Sequence, residues 1–224
     1  DIGVAWAPPP KFKGRGKPGS LLVLVLDASL SMNSSDTFDG RARATHVRDI
    51  VRDTLSAIDG SGVKENLLVC ILGFAADVAL ITPAIPGGDL HVFSPLQAWL
   101  KQPLPDYTDG VDRSATNIRL ALDRAADLID GFRQSQVAQQ LSLRWDIATI
   151  VMLTDGEHLA RVDAGIETSK DIAVHVFDTI NRSEGVSFGF IGLGEAADHD
   201  SLLGWSTEAS AQQRSTALKK GVQL

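Results

Sequence analysis

Absences narrow this 224-residue chain before anything else does. It holds a single cysteine, Cys70, so no intrachain disulfide can form, which weakly favours a reducing compartment. Cys70 sits inside the apolar run Leu67 to Phe74 and reads as a small core residue. No apolar stretch approaches the roughly 18 residues that cross a bilayer, so no membrane span is expected. Residues Asp1 to Trp6 carry no basic segment leading into an apolar one, so no retained signal peptide is expected and the cytoplasm is the anticipated location. Positive charge is in deficit: 21 Lys and Arg stand against 28 Asp and Glu, a net charge of −7. Broad nucleic-acid binding needs a cationic footprint and is excluded on this ground. The local cations Lys11, Lys13, Arg15 and Lys17 lie in a Gly/Pro-rich arm and read as a solvated tail. There is no G-x-S-x-G elbow, no Ser-His-Asp or Cys-His set, and no G-x-x-x-x-G-K-[ST] phosphate loop. Gly14-Arg15-Gly16-Lys17-Pro18-Gly19 does spell G-x-G-x-x-G, but it precedes a strand and contains proline. The dinucleotide fingerprint must follow a strand and open a helix.

What is present suits a globular α/β chain. The hydrophobic share is 44% and the charged share 22%. Residues 1–19, with Pro8-Pro9-Pro10, form an expected extended arm or linker; residues 20–207 form the domain; 208–224 are a polar tail or a last edge element. Leu21 to Leu26 is a run of strand length with apolar residues on both faces, as in a strand buried on both sides. Residues 41–58 have helical periodicity and are stopped by Asp59-Gly60-Ser61-Gly62. Strands are expected at 67–74, at 78–81 as an antiparallel edge, at 147–153 and at 186–193. Helices are expected at 95–101, from Thr116 or Asn117 to about 130 with Gly131 closing it, at 134–143, at 167–181 and at 201–207. Strands alternating with helices imply a Rossmann-like, doubly wound, mainly parallel sheet with one antiparallel edge strand and helices on both faces.

The chemistry gathers at strand ends. Asp27, Ser29 and Ser31 follow the first strand as D-x-S-x-S, Thr116 opens a helix after a long polar loop, and Thr154-Asp155-Gly156 ends a later strand. Oxygen donors at the carboxyl edge of a parallel sheet suit a hard divalent cation. With no His or Cys in the set, zinc is not expected. Taken singly, Asp27, Ser29 and Ser31 also fit plain turn capping, Thr116 a helix N-cap, and Asp155-Gly156 a turn dipeptide. Asp109 and Asp112 read as a solvated loop, His158 as a surface residue, and His46, His91, His175 and His199 have no ligand spacing.

Asp27-Ala28-Ser29-Leu30-Ser31, Ser114-Ala115-Thr116-Asn117 and Leu153-Thr154-Asp155-Gly156 together resemble the three loops of the von Willebrand factor type A (integrin I-like) domain, over about residues 20–207. Leu30 departs from the glycine often found between the two serines, as in bacterial-type members. The resemblance implies a metal-ion-dependent adhesion site. In it Ser29, Ser31 and Thr116 offer hydroxyl oxygens, and Asp27 and Asp155 act directly or through water. The cation would be Mg²⁺, with Mn²⁺ or Ca²⁺ as alternatives. An acid from a partner protein would complete its coordination. Leu30, Met32, Phe38 and the 106–115 loop would form the rim, and an AAA+ ATPase or another complex subunit is the kind of partner the resemblance suggests. The implied role is protein binding and not catalysis. The alternatives are a metal-independent scaffold subunit and an Mg²⁺-dependent phosphohydrolase. The latter is disfavoured because Ser29 stands where a second acid would serve as general acid–base.

Overall fold

The computed structural model describes residues 19–35, 39–61, 66–83, 92–135, 138, 144–162, 165–169, 171–182, 185–194 and 197–206. The expected arm, apart from Gly19, the expected polar tail, Phe38 and most of the expected 134–143 helix lie outside these residues.

The first strand, β1 (Ser20–Asp27), is central. Its apolar run divides by alternation. Leu21, Val23 and Val25 join one core, and Leu22, Leu24 and Leu26 the other. β2 (Leu67–Phe74) divides in the same way and pairs with β1 in parallel, Asp27 standing beside Phe74. Two antiparallel strands share the far side of β2: β3 (Val78–Ile81) beside its carboxyl half and the short β4 (Ser94–Pro95) beside its amino half. On the other flank β5 (Ile147–Thr154) pairs in parallel with β1. A two-stranded antiparallel hairpin follows, β6 (Leu159–Val162) and β7 (Gly165–Thr168), and then β8 (Val186–Gly192), parallel to β5. The main sheet runs β3-β2-β1-β5-β8. The mainly parallel sheet with its antiparallel edge is as expected.

Helices cover both faces. α1 (Arg43–Asp59) buries Val47, Val51 and Leu55 against one face, joined by the short α2 (Leu96–Leu100) through Leu96 and Trp99. On the other, α3 (Ile118–Gln134) buries a stripe from Ile118 to Phe132, and α4 (Ala173–Arg182) adds Val176. Asn117 caps α3, its Oδ1 accepting the Leu120 N–H at 3.0 Å. Gly131 does not end this helix. Phe132, packed against Phe93 and Trp145 with ring centroids 5.0 and 5.3 Å away, carries it on to Gln134. The helix expected over 167–181 is also corrected: its first residues belong to β7, and α4 starts at Ala173. Asp171 Oδ2 accepts both the N–H and the hydroxyl of Thr168, which closes the hairpin before the helix begins. The last described helix spans 199–206. No helix among the described residues is long and apolar enough to cross a membrane.

This topology places the site. The chain leaves β1 toward the α1 face, and after β5 and the hairpin it continues on the α4 face. A crevice between the carboxyl ends of adjacent strands with divergent connections is where open α/β sheets bind ligands.

Candidate metal-ion site

Register brings the first pair of loops together. Leu26 stands beside Leu153, so Asp27 and Thr154 end neighbouring strands. Thr154 Oγ1 donates to Asp27 Oδ2 at 2.6 Å, and the Ser29 N–H donates to Oδ1 at 2.9 Å. Ser29 Oγ and Ser31 Oγ lie 2.9 Å apart. Arg113 draws in the second loop: its guanidinium donates to the carbonyls of Ala28 (2.6 Å) and Ser29 (3.2 Å) and to Asn33 Oδ1 (3.1 Å). Nearby, the Asn117 N–H donates to the Ala75 carbonyl at the end of β2. Thr116 is buried and exchanges both backbone hydrogen bonds with Leu159, while no hydrogen bond among the described residues engages its hydroxyl. The five expected residues therefore lie on three loops that hydrogen bonds tie around one strand end.

Asp27 is fully buried, and among the described residues no cation lies within ion-pair distance of it. Burial, and then the charge of Asp155, push its pKa up to about 6. Asp155 is buried as well, but it has its own cation. Arg43 Nη1 donates to Asp155 Oδ2 at 2.8 Å, with both side chains buried, and the Glu157 N–H donates to Oδ1 at 3.2 Å. Arg43 was not singled out in the sequence. It lies four residues before Val47 on the stripe Val47-Val51-Leu55, so a cation on an apolar stripe was the available signal. Gly194, at φ +89°, makes room for it: a Cβ there would collide with the guanidinium.

His158 corrects a further expectation. It is buried, not on the surface. The Ile118 N–H donates to its Nδ1 at 3.1 Å, so Nε2 carries the proton and faces Glu167 at 3.1 Å. Burial holds its pKa below the usual histidine value, which suits the acceptor role. Glu167 also pairs with Arg119 at 3.2 Å. These contacts clamp the Asp155–His158 loop and the hairpin to the start of α3. The rim is revised too. Leu30 is 62% exposed, as expected, but Met32 is buried in the α1-side core. Within the 106–115 loop Tyr107 is buried and anchors the loop, passing so close to Gly73 that a Cβ there would strike the Tyr107 carbonyl. Hydrogen bonds from the Ser114 side chain and then from its N–H, at 3.0 Å, keep the Asp112 carboxyl below the ordinary range.

The candidate donors are carboxylate and hydroxyl oxygens only, a set whose chemistry suits a hard cation. Ser29 and Ser31 hold their hydroxyl oxygens together by a shared hydrogen bond of 2.9 Å. A buried, uncompensated carboxylate beside these hydroxyls is the charge such an ion would neutralise.

No protein-family model matches the chain, and no curated protein matches it in sequence. Solved structures do resemble it. BatB from Bacteroides thetaiotaomicron superposes with a TM-score of 0.54 at 14% identity, covering 90% of this chain and 98% of its own. The manganese-loaded TRAP protein from Plasmodium vivax gives 0.53 at 14%, covering 86% and 63%. This is a von Willebrand factor type A fold. The PilB minor pilin from Streptococcus sanguinis carries the likeness further, with a TM-score of 0.59 at 15% identity, over 88% of this chain and 56% of its own. At such identities the likeness is one of fold, and the residues of the site must be argued from their own geometry. In this type A fold the three loops occupy the carboxyl ends of β1 and β5 and the start of α3, as the sequence implied.

Proposed function

We propose that the chain is a protein-interaction module that works through a hard divalent cation such as Mg²⁺, as its oxygen-only donors suit. Ser29, Ser31, Thr116, Asp27 and Asp155 would hold the ion. The observation that carries this reading is Asp27, a buried carboxylate with no counter-cation among the described residues, beside the hydrogen-bonded hydroxyls of Ser29 and Ser31. Charge counting supplies the rest. Asp27 and Asp155 bring two negative charges and Arg43 one positive, so a bound divalent ion leaves the centre at about +1. A centre of that charge, beside half-buried Ser31 and exposed Leu30, favours an anionic oxygen from outside, such as the Asp or Glu of a partner protein. The similar fold of a manganese-loaded protein, and of another described as a pilus adhesin, agrees with this reading. Catalysis is not proposed, because Ser29 occupies the place of a second acid and Asp155 is held by Arg43.

Arg43 also favours a second reading, a scaffold whose internal guanidinium replaces the metal. Isothermal titration separates the two. Saturable Mg²⁺ or Mn²⁺ binding, lost in Asp27→Asn, supports the cation-dependent module; no heat at millimolar metal supports the scaffold. Affinity capture with and without chelator, repeated with Thr116→Ala, tests the partner. Binding indifferent to chelator would overturn the metal-dependent reading.

A further inference from the structure

We propose that the outer edge of β8 pairs, antiparallel and about a two-fold axis, with the same edge of a second copy of this chain.

Backbone geometry leaves that edge open. The Ala148 N–H donates to the Gly185 carbonyl and the Leu193 N–H to the Thr154 carbonyl, so the odd-numbered residues of β8 bond to β5. The N–H and carbonyl of Phe188 and of Phe190 therefore point away from β5. Among the described residues no strand lies on that side, and no hydrogen bond engages these groups. Exposed strand edges are ordinarily blunted by shortness, charge or proline. The far edge of the sheet has such guards: β3 is four residues long, and β4 contains Pro95. β8 has none. It is seven residues long and holds no charged residue and no proline.

The strand's own sequence selects the occupant. Phe188-Gly189-Phe190 reads the same in both directions. In an antiparallel pair centred on Gly189, Phe188 of each copy stands beside Phe190 of the other and exchanges both main-chain hydrogen bonds with it. Cross-strand aromatic pairs stabilise such a contact, and an uncharged strand sets no like charges against each other. Gly189 is the second observation. A glycine inside a strand weakens it, and it often marks the close approach of another backbone. Nothing within the chain requires this one. Its φ is outside the left-handed region, and a Cβ would meet only Val151 Cγ2, at 3.8 Å. A second strand across the axis supplies the reason, because partners in a non-hydrogen-bonded pair stand about 4.5 Å apart at Cα. Residues 207–224 of the same chain match the edge less well, having no aromatic residue and no isoleucine. The edge is held in place before pairing: the Phe190 ring rests on Trp205, centroids 5.7 Å apart, and Phe188 packs on the same core. The axis turns one sheet end for end against the other, so the two candidate cation sites would face opposite ways. Under the interaction-module reading the dimer would bridge two partners; the pairing itself does not rest on that reading.

Sedimentation velocity of the full chain reads the pairing. The weight-average mass should approach twice that of one chain as concentration rises, and exchange of the Phe188 and Phe190 amides should slow in step. Gly189→Lys and Gly189→Asp, which the space beside Val151 admits, each place like charges at the axis. Either variant alone should weaken association about fivefold or more, and an equimolar mixture of the two should restore it as a heterodimer. Circular dichroism shows that both variants are folded, and the amide exchange of the parent tests the edge without any substitution. A parent that stays monomeric at every concentration, a dimer that Gly189→Lys leaves intact, or Phe188 and Phe190 amides indifferent to concentration would overturn the proposal. So would pairing that emerges only when residues 207–224 are deleted. Association should be equal in magnesium and in chelator, so it stands or falls independently of the cation site.

Discussion

Asp27 and Arg43 divide the electrostatics of the site between them. The carboxyl of Asp27 is raised from 3.8 to about 6, chiefly by burial. A group raised in the folded state contributes stability below its unfolded pKa and loses it as pH rises through the folded value. Two units correspond to roughly 3 kcal/mol, lost between about pH 4 and 6 in chelator. Asp27→Asn should therefore be more stable than the parent at pH 7.5 in chelator, by about 2–3 kcal/mol, and equal to it near pH 4; urea unfolding reads this directly. Magnesium should stabilise the parent and leave Asp27→Asn unmoved. Arg43→Met strands Asp155 without its guanidinium and should cost about 3–5 kcal/mol in chelator, with part recovered by magnesium. The oxygen donors were legible in the sequence because acids and hydroxyls stood out at the ends of apolar strands. Arg43, Arg113 and His158 were not, since each acts across more than 35 residues on a partner that only the folded chain supplies.

Among the elements, the hairpin β6–β7 shows where local pattern fails. Its strands are four residues long and mostly exposed, so no burial period marks them. Its position comes from Thr116, His158 and Arg119, which lie on or beside a different helix. The long elements were readable because burial writes their period: two-sided in β1 and β2, a stripe in α1 and α3. His158→Ala should release the hairpin. We expect amide exchange in 159–168 to rise at least several-fold while β1 stays protected. Acid should do the same. A histidine with a lowered folded pKa supports structure above its unfolded value near 6.5, and that support is lost as pH falls. Hairpin exchange, corrected for its intrinsic rate, should rise below that pH.

For the whole molecule, one sheet separates two cores that share every central strand. Leu24 faces α1 with Trp99, and Met152 faces α3 and α4 with Trp145 and Trp205. Leu24→Ala and Met152→Ala should each cost about 2–5 kcal/mol, because neither site can collapse without moving a central strand. Circular dichroism and tryptophan fluorescence should give coincident transitions for both variants; separate transitions would mean that the faces unfold independently.

The Arg43–Asp155 pair has a consequence for how the site would behave when stripped of its ion. A centre built only from acids would repel itself once emptied, and the strand ends around it would spread. Here half of that repulsion is answered from within, by a guanidinium rooted in the first turn of α1. Demetallation would then silence the surface while the scaffold stands, and remetallation would need no refolding. Under the proposed cation-dependent function, ion supply alone would then switch the module on and off repeatedly.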